Sequence, residues 1–539
     1  MKDCFKAWLA DSLHRIYPLA SSGDGSSPQL AGARGERLSF QIGCRTGALS
    51  GDLRAEIEAE DGLLVTIRRV GFVPLPHLTP DTPAEELETG GAVPGMVPDP
   101  LLPKNETATG CFETAVFWVT VKITSEAPAG RHKIEIRLKL SGEIVALLET
   151  EIAVYPCLLP KRVNFPVTNW FYADALLDWY GLRPFEENFW SILRSYLADL
   201  VEHGQDTIYT PVFTPPLDGV KRPAQLLQVA RNDNGYVFDW SLVKRWVDTA
   251  RSCGIKNFEW THLFTQWGAA NAIRIYEGHG LKEQLLWPPG TGAVSDVYRA
   301  FLSQYLPQLH RFLDKERLLE KSFFHLSDEP HGEEHLANYR SARNMLRELA
   351  PWMKIMDALS EISFAREGLT DIPIPMINNA PEFIAEGFPA WAYFCCGPRG
   401  KYLNRFLDTP LLKIRMTGWL LYRNRANGFL HWGGNYWYRG GTEELINPFH
   451  VTDAERWPDW ASGDPFVIYP GPDGPIDSLR WEIFAESLQD YALLQACGID
   501  PDDILLQDIH DYADFPRDTE WIKRRRLELL GALGSGVYR

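Results

Sequence analysis

The hydrophobic pattern of the chain changes character near Leu158. Before it, "RLSFQIGCR", "FWVTVKIT", "HKIEIRLKLS" and "EIVALLETEIAVY" alternate apolar and polar residues, with Gly, Pro and Asp between them. Period-two alternation puts one apolar face on a strand, so residues 1–158 predict an N-terminal β-sandwich. The proline-rich stretch from Pro74 to Pro103 predicts a long loop that wraps against another domain.

After "CLLPKRVNFP" short apolar runs alternate with long amphipathic ones. The runs at 167–172, 207–213, 258–264, 322–327, 354–360, 375–379, 391–396 and 428–434 predict strands, and segments such as "NFWSILRSYLADLVEHG" and "SLVKRWVDTARSCG" predict the helices between them. Gly204, Gly254 and Gly428 stand where helix C-caps are expected. This rhythm over residues 159–498 predicts a (β/α)8 TIM barrel, with short fifth and sixth helices. Residues 499–539 predict a short helical tail, in which Asp518 caps "TEWIKRRRLELLGAL".

A length of 539 residues fits two or three domains. The formal charge of -17, with no basic stripe, argues against nucleic acid as a partner. The opening "MKDCFKAWLADSLHRIYP" is too charged for a signal peptide, and no apolar run is long enough for a membrane span. The eight cysteines form no CxxC pair. The expectation is a cytoplasmic protein with reduced thiols, no cofactor and no metal.

The chemistry concentrates in "SFFHLSDEPHGEEH", residues 322–335. Asp328 and Glu329 close the fourth predicted strand, where barrel enzymes carry their reactive groups. Asp328 could instead cap the next helix, with Pro330 in its first turn. Retaining glycosidases usually set a second carboxylate across the sugar ring. The seventh and eighth strands offer none, and Glu259, Asp357 and Glu382 are poorly placed for that task. An adjacent pair without a distant partner points to substrate assistance, in which a 2-acetamido carbonyl is the nucleophile. Asp328 would hold the oxazolinium N–H, and Glu329 would serve as acid and then base. His331, Glu334 and His335 match the H-x-x-E-H zinc pattern, but Pro330 and Gly332 interrupt the helix it needs.

Sugar subsites combine aromatic platforms with directed polar groups. "HWGGNYWYRGG" supplies Trp432, Asn435, Tyr436 and Trp437 at the eighth strand end. Tyr393 could donate to the acetamido carbonyl, and His262, Trp267, Tyr172 and Asn378 lie at or just past other strand ends. Each could equally pack the barrel. His325 could brace a carboxylate or sit satisfied in the interior. The pair Cys395 and Cys396 reads as packing, one thiol inside the barrel and one under the helices.

"HLSDEP", "YFCCGPRGKYLNRFLD", "GFLHWGGNYW" and "YPGPDGPIDSLRWEIFAESLQDY" together resemble glycoside hydrolase family 123, with weaker echoes in "DSLHRIYP", "GERLSFQI" and "PGMVPDPLLP". The resemblance implies a β-sandwich followed by a (β/α)8 barrel. It also implies a retaining β-N-acetylgalactosaminidase with Asp328 as oxazolinium stabiliser and Glu329 as acid/base. The expected partner is a glycan or glycoconjugate with a terminal N-acetylhexosamine. A β-N-acetylglucosaminidase or hexosaminidase of the same mechanism, and a catalytically silent carbohydrate-binding protein, are the alternatives.

Overall fold

The alternating N-terminal segments pair into two five-stranded sheets. A computed structural model describes residues 5–535 apart from 22, 24–27, 89–91, 218, 220–221 and 279–283. In the first sheet the order is Lys6–Asp11, Arg37–Arg45, Thr114–Ile123, Leu63–Leu75 and Gly95–Leu102, all antiparallel. In the second it is Leu30–Arg34, Glu143–Leu158, Gly130–Leu140, Gly51–Ala59 and Glu106–Thr109, antiparallel except for the first pair. Phe40, Phe117, Val119 and Val121 of one meet Leu53, Ile134, Ile136 and Leu138 of the other in a shared core.

The two sheets differ in what covers their outer faces. Gly130–Leu140 buries its isoleucines and leucines and turns Arg137 and Lys139 outward, to Glu58 and Glu56. Thr114–Ile123 is buried on both faces, because Val116 and Trp118 point away from the shared core into the larger core of the α/β domain. The first sheet is therefore the one that docks.

The proline-rich stretch is the expected loop only in its middle, where Thr79 donates to Asp408 and Glu86 accepts from Lys413 of the second domain. Its ends are the Leu63–Leu75 and Gly95–Leu102 strands, paired with each other. Pro98 and Pro100 are tolerated because Gly95–Leu102 is the edge of its sheet, where a missing N–H breaks no ladder. The strand does reach the second domain: Pro100 bridges Ser478, and Asp99 accepts from Arg480 and Tyr469.

The second part of the chain is a mixed α/β domain with short parallel strands. Thr207–Thr210, Asn257–Trp260 and Ser322–Phe324 form one ladder, and Val167–Asn169, Phe429–His431 and Ala392–Tyr393 another. Met356–Ala358 pairs with Ile372–Ile374, and single parallel bridges join Phe324 to Ile355 and Met376 to Tyr393. The continuous eight-stranded barrel is thus seen only in part, as sheet segments. Strands of two to four residues offer few ladder bonds, and side chains take over at the gaps: Asp206 accepts from Val167 N and Gln205 from Asn169 N.

Helix Ser241–Cys253 ends at Gly254 (φ 112°), and Glu187–Glu202 is followed by Gly204 (φ 88°), as expected of C-caps. Gly428 is different. The preceding helix, Thr417–Arg423, is already over at Asn424, and the left-handed residue of that turn is Arg425. Gly428 is needed for space, since an added Cβ would lie 2.4 Å from the Trp391 ring. Ser363–Arg366 and Ala380–Ala385 are the short helices foreseen. Asp518 caps Thr519–Ser535, accepting from Glu520 N and Trp521 N. Among the described residues no helix is long and apolar enough to cross a membrane.

Candidate active site

The end of the Ser322–Phe324 strand carries the acidic pair into a hollow of about 420 Å³. Asp328, 4% exposed, accepts from the Gln266 amide at 2.7 Å, while its own carbonyl accepts from Trp267 N. Glu329 is half-buried and its carboxylate accepts from the Tyr393 hydroxyl at 2.7 Å. Its backbone is left-handed (φ 43°), a strained state for a non-glycine residue, held by a bond from Glu329 N to Ala358 O. Asp328 does not cap the next helix. That helix, Gly332–Leu349, begins with His331 at its N-cap.

Beneath the pair lies a buried cluster. His325 points Nδ1 at Asp357 (3.3 Å) and Nε2 at Glu259 (3.2 Å), and Glu259 also accepts from Trp170 Nε1. Burial works against the charged imidazole, yet the bonds to Asp357 and Glu259 outweigh it and push His325 up to about 9. His262 stacks on His325 at 4.3 Å, and burial with the neighbouring charge drives it well below the usual histidine range. Glu382, the third acid considered from sequence, pairs with Arg366 at the surface.

Two clusters have metal-ligand spacing among the described residues: His262, His325 and Asp357, and Asp199, His203 and Asp477. In the first, both His325 nitrogens face carboxylates, so the ring donates and has no lone pair to give. In the second, Arg37 and Arg68 already supply the positive charge. The His331, Glu334 and His335 motif is in neither: His331 N donates to His335 Nδ1 at the start of its helix.

Of the other residues singled out from sequence, Tyr393, Trp432 and Trp267 line the hollow. Tyr172, Asn435 and Trp437 are buried away from its lining: Asn435 bonds the Tyr172 backbone, and Trp437 donates to Ile468 O. His262 lies below with Tyr209, and Asn378 is exposed elsewhere. Both Cys395 and Cys396 line the hollow, because the Ala392–Tyr393 strand has ended before alternation could separate them. Their mutual bond, together with burial, pushes the Cys395 thiol well up, so it stays protonated.

Trp170, Gln266, Arg456 and Trp460 complete the polar and aromatic lining. None carried a sequence signal, since Gln266, Arg456 and Trp460 lie on irregular loops without periodicity. Trp432 donates to the buried Asp464 at 2.9 Å; burial raises that carboxyl to about 7 against the pull of Trp432 and Arg405.

The family description "Glycoside hydrolase 123, catalytic domain" matches residues 170–497. The chain belongs to glycoside hydrolase family 123. Membership indicates a glycosidase and a glycan substrate. A solved family 123 glycoside hydrolase from Clostridium perfringens, described in terms of glycolipid glycan hydrolysis, superposes with a TM-score of 0.72. The identity is 15%, and the match covers 99% of this chain and 98% of that one. A family 39 glycoside hydrolase from Bacteroides cellulosilyticus WH2 matches at a TM-score of 0.33 and 10% identity, over 86% and 82% of the two chains. No curated protein matches the chain.

Proposed function

We propose that this family 123 chain is a retaining exo-glycosidase that releases terminal β-linked N-acetylgalactosamine with the help of the substrate's own acetamide. The reading takes the parallel strands as one closed (β/α)8 barrel with the hollow at their C-terminal ends. The observation that carries it is the placement of two consecutive carboxylates in a single sugar-sized hollow. Among the described residues, its lining holds no third acid to act as a separate nucleophile.

In this mechanism the acetamido oxygen bonds to the anomeric carbon as the glycosidic C–O bond breaks, and Glu329 gives its proton to the leaving oxygen. Asp328 accepts the hydrogen bond of the oxazolinium N–H and offsets its positive charge. Water then attacks the anomeric carbon as its bond to the acetamido oxygen breaks, Glu329 takes a proton from that water, and two inversions give net retention. Gln266 orients Asp328, and the Tyr393 hydroxyl, bonded here to Glu329, orients the acid. Trp267, Trp432 and Trp460 provide apolar walls for the pyranose face.

The test is a panel of nitrophenyl β-glycosides with and without the 2-acetamide. Glu329→Gln and Asp328→Asn should each lower turnover of the acetamido substrates by about 10²–10⁴-fold. Equal cleavage of sugars that lack the acetamide would rule the mechanism out.

A further inference from the structure

Consecutive residues of a strand face opposite ways, so an adjacent Asp and Glu should not share one hollow. The backbone before the pair shows how the alternation is broken. His325 O accepts from Leu263 N (3.1 Å) and Leu326 O from Phe264 N (2.9 Å), both on the same flank. On the other flank, the N–H groups of Leu326 and Ser327 both donate to one side chain, Asp357, at 3.0 and 3.2 Å. Two successive peptide planes therefore point the same way, where a regular strand would reverse them. The bend leads directly into Asp328 and the left-handed Glu329, whose N–H is taken by Ala358 O, the residue after Asp357.

We propose that Asp357 is a positioning residue of this site: its carboxylate replaces backbone carbonyls as acceptor for two consecutive amides, and so turns Asp328 and Glu329 into one hollow. The proposal rests on the functional reading above for its catalytic consequence, though not for its geometry. No single backbone carbonyl of a regular parallel neighbour serves two consecutive amides, whereas a carboxylate has two oxygens and several lone pairs. Asp357 is fully buried and also accepts from Tyr339 OH (2.5 Å) and faces His325 Nδ1, so two neighbouring elements hold it. His325 and Glu259 extend the brace to Trp170 in the floor of the hollow.

Leu326 N lies 3.0 Å from Asp357 Oδ1 and 3.2 Å from Oδ2, and Ser327 N lies 3.2 Å from Oδ2, so in Asp357→Asn either orientation of the amide sets its NH2 against the Leu326 N–H. A shift of the pair by about 1 Å lowers turnover by about 10²-fold. Most of the apolar wall is kept, because Trp432 and Trp460 stand on segments apart from the pair, while Trp267 is tied to it through the bond from its N–H to Asp328 O. For D357N in the full chain, kcat on the nitrophenyl N-acetyl-β-galactosaminide should therefore fall about a hundredfold, with KM within about threefold. Hydrogen exchange over residues 322–331 should quicken at least about tenfold, because amides that lose their acceptor open locally.

Asp357→Glu keeps a carboxylate on a longer arm and covers the case in which D357N does not fold. It should hold exchange near the parent's while kcat drops about tenfold, since the acceptor survives but is displaced. A D357N or D357E protein with the parent's kcat overturns the proposal, as does D357N with unchanged exchange. If the parent itself cleaves no N-acetylhexosaminide, the functional reading falls and the exchange experiment still decides the clamp.

Discussion

Buried carboxylates gather in two regions of this molecule, the seam between its two parts and the hollow, and they keep different company. At the seam, Glu482 on helix Leu479–Ala496 is fully buried and accepts from Arg37 at 2.5 Å and Arg68 at 2.6 Å, both from the docking sheet, with His203 at 3.3 Å. Asp490, two turns along the same helix, meets Arg415 and Arg526. Burial alone would raise the Glu482 carboxyl, but Arg37 and Arg68 outweigh it and hold it well below the usual range. In the hollow, the pair receives bonds from an amide, Gln266, and a phenol, Tyr393. A guanidinium fixes a carboxylate in its ionised form; a phenol can bond to it before and after it takes a proton. The seam sets buried charge between its parts, whereas the proposed mechanism asks the pair in the hollow to exchange protons.

Breaking the seam should have the largest effect on stability. Glu482→Ala removes the carboxylate that Arg37 and Arg68 share and leaves Asp477 on Arg68 alone, and removal of one partner from a buried pair costs about 3–5 kcal/mol. Denaturant unfolding should show that loss, while the folded fraction turns substrate over at the parent's rate. A Glu482→Ala protein as stable as the parent would erase the contrast between the regions. Glu329→Gln should show the reverse, with activity lost and stability kept.

This contrast explains what the sequence could reveal. The docking sheet was legible as strands because "FWVTVKIT" carries the pattern locally, and the acidic pair was legible because it ends an apolar run. Which sheet docks was not, since Trp118 and Val116 find their second core only when the α/β domain folds against them. Asp99 and Glu482 read as ordinary polar residues until partners 381 and 414 positions away meet them. Asp357 reads from the sequence only as an acid poorly placed for a nucleophile, because a side chain that accepts from the neighbouring backbone leaves no periodic trace. The prolines of Gly95–Leu102 misled in the opposite direction, because an edge strand is the one sheet position where they are harmless.

The seam also predicts a pH dependence of its own. His203 is buried against Asp199, Arg37, Asp477 and Glu482. Burial disfavours its charged form, but the pull of Asp199 and Asp477, opposed by Arg37, lifts it to about 10 from an unfolded value of 6.5. A histidine raised on folding contributes stability that is complete below about pH 6.5 and is lost as pH rises through about 10. Between pH 7 and pH 10 the parent should lose roughly 3–4 kcal/mol more than His203→Gln. Parallel stability curves for the two proteins, measured by urea unfolding, would remove His203 from the seam's electrostatics.

On the side of the hollow, the sharpest probe is a residue that contributes to binding without holding the fold. Trp267 is 54% exposed, sits at a left-handed φ of 57° and lines the cavity beside Asp328. An exposed indole gains little burial energy, and its backbone state is unfavourable for any side chain, so neither feature is explained by stability. As a sugar platform it would cover an apolar ring face, an interaction present in both ground and transition states. Trp267→Ala should therefore raise KM about tenfold, or about 1.4 kcal/mol, with kcat within about threefold. The unfolding free energy should stay within about 0.5 kcal/mol of the parent, as for surface substitutions generally. A large drop in stability with KM unchanged would place Trp267 with the seam residues and leave the cavity without that wall.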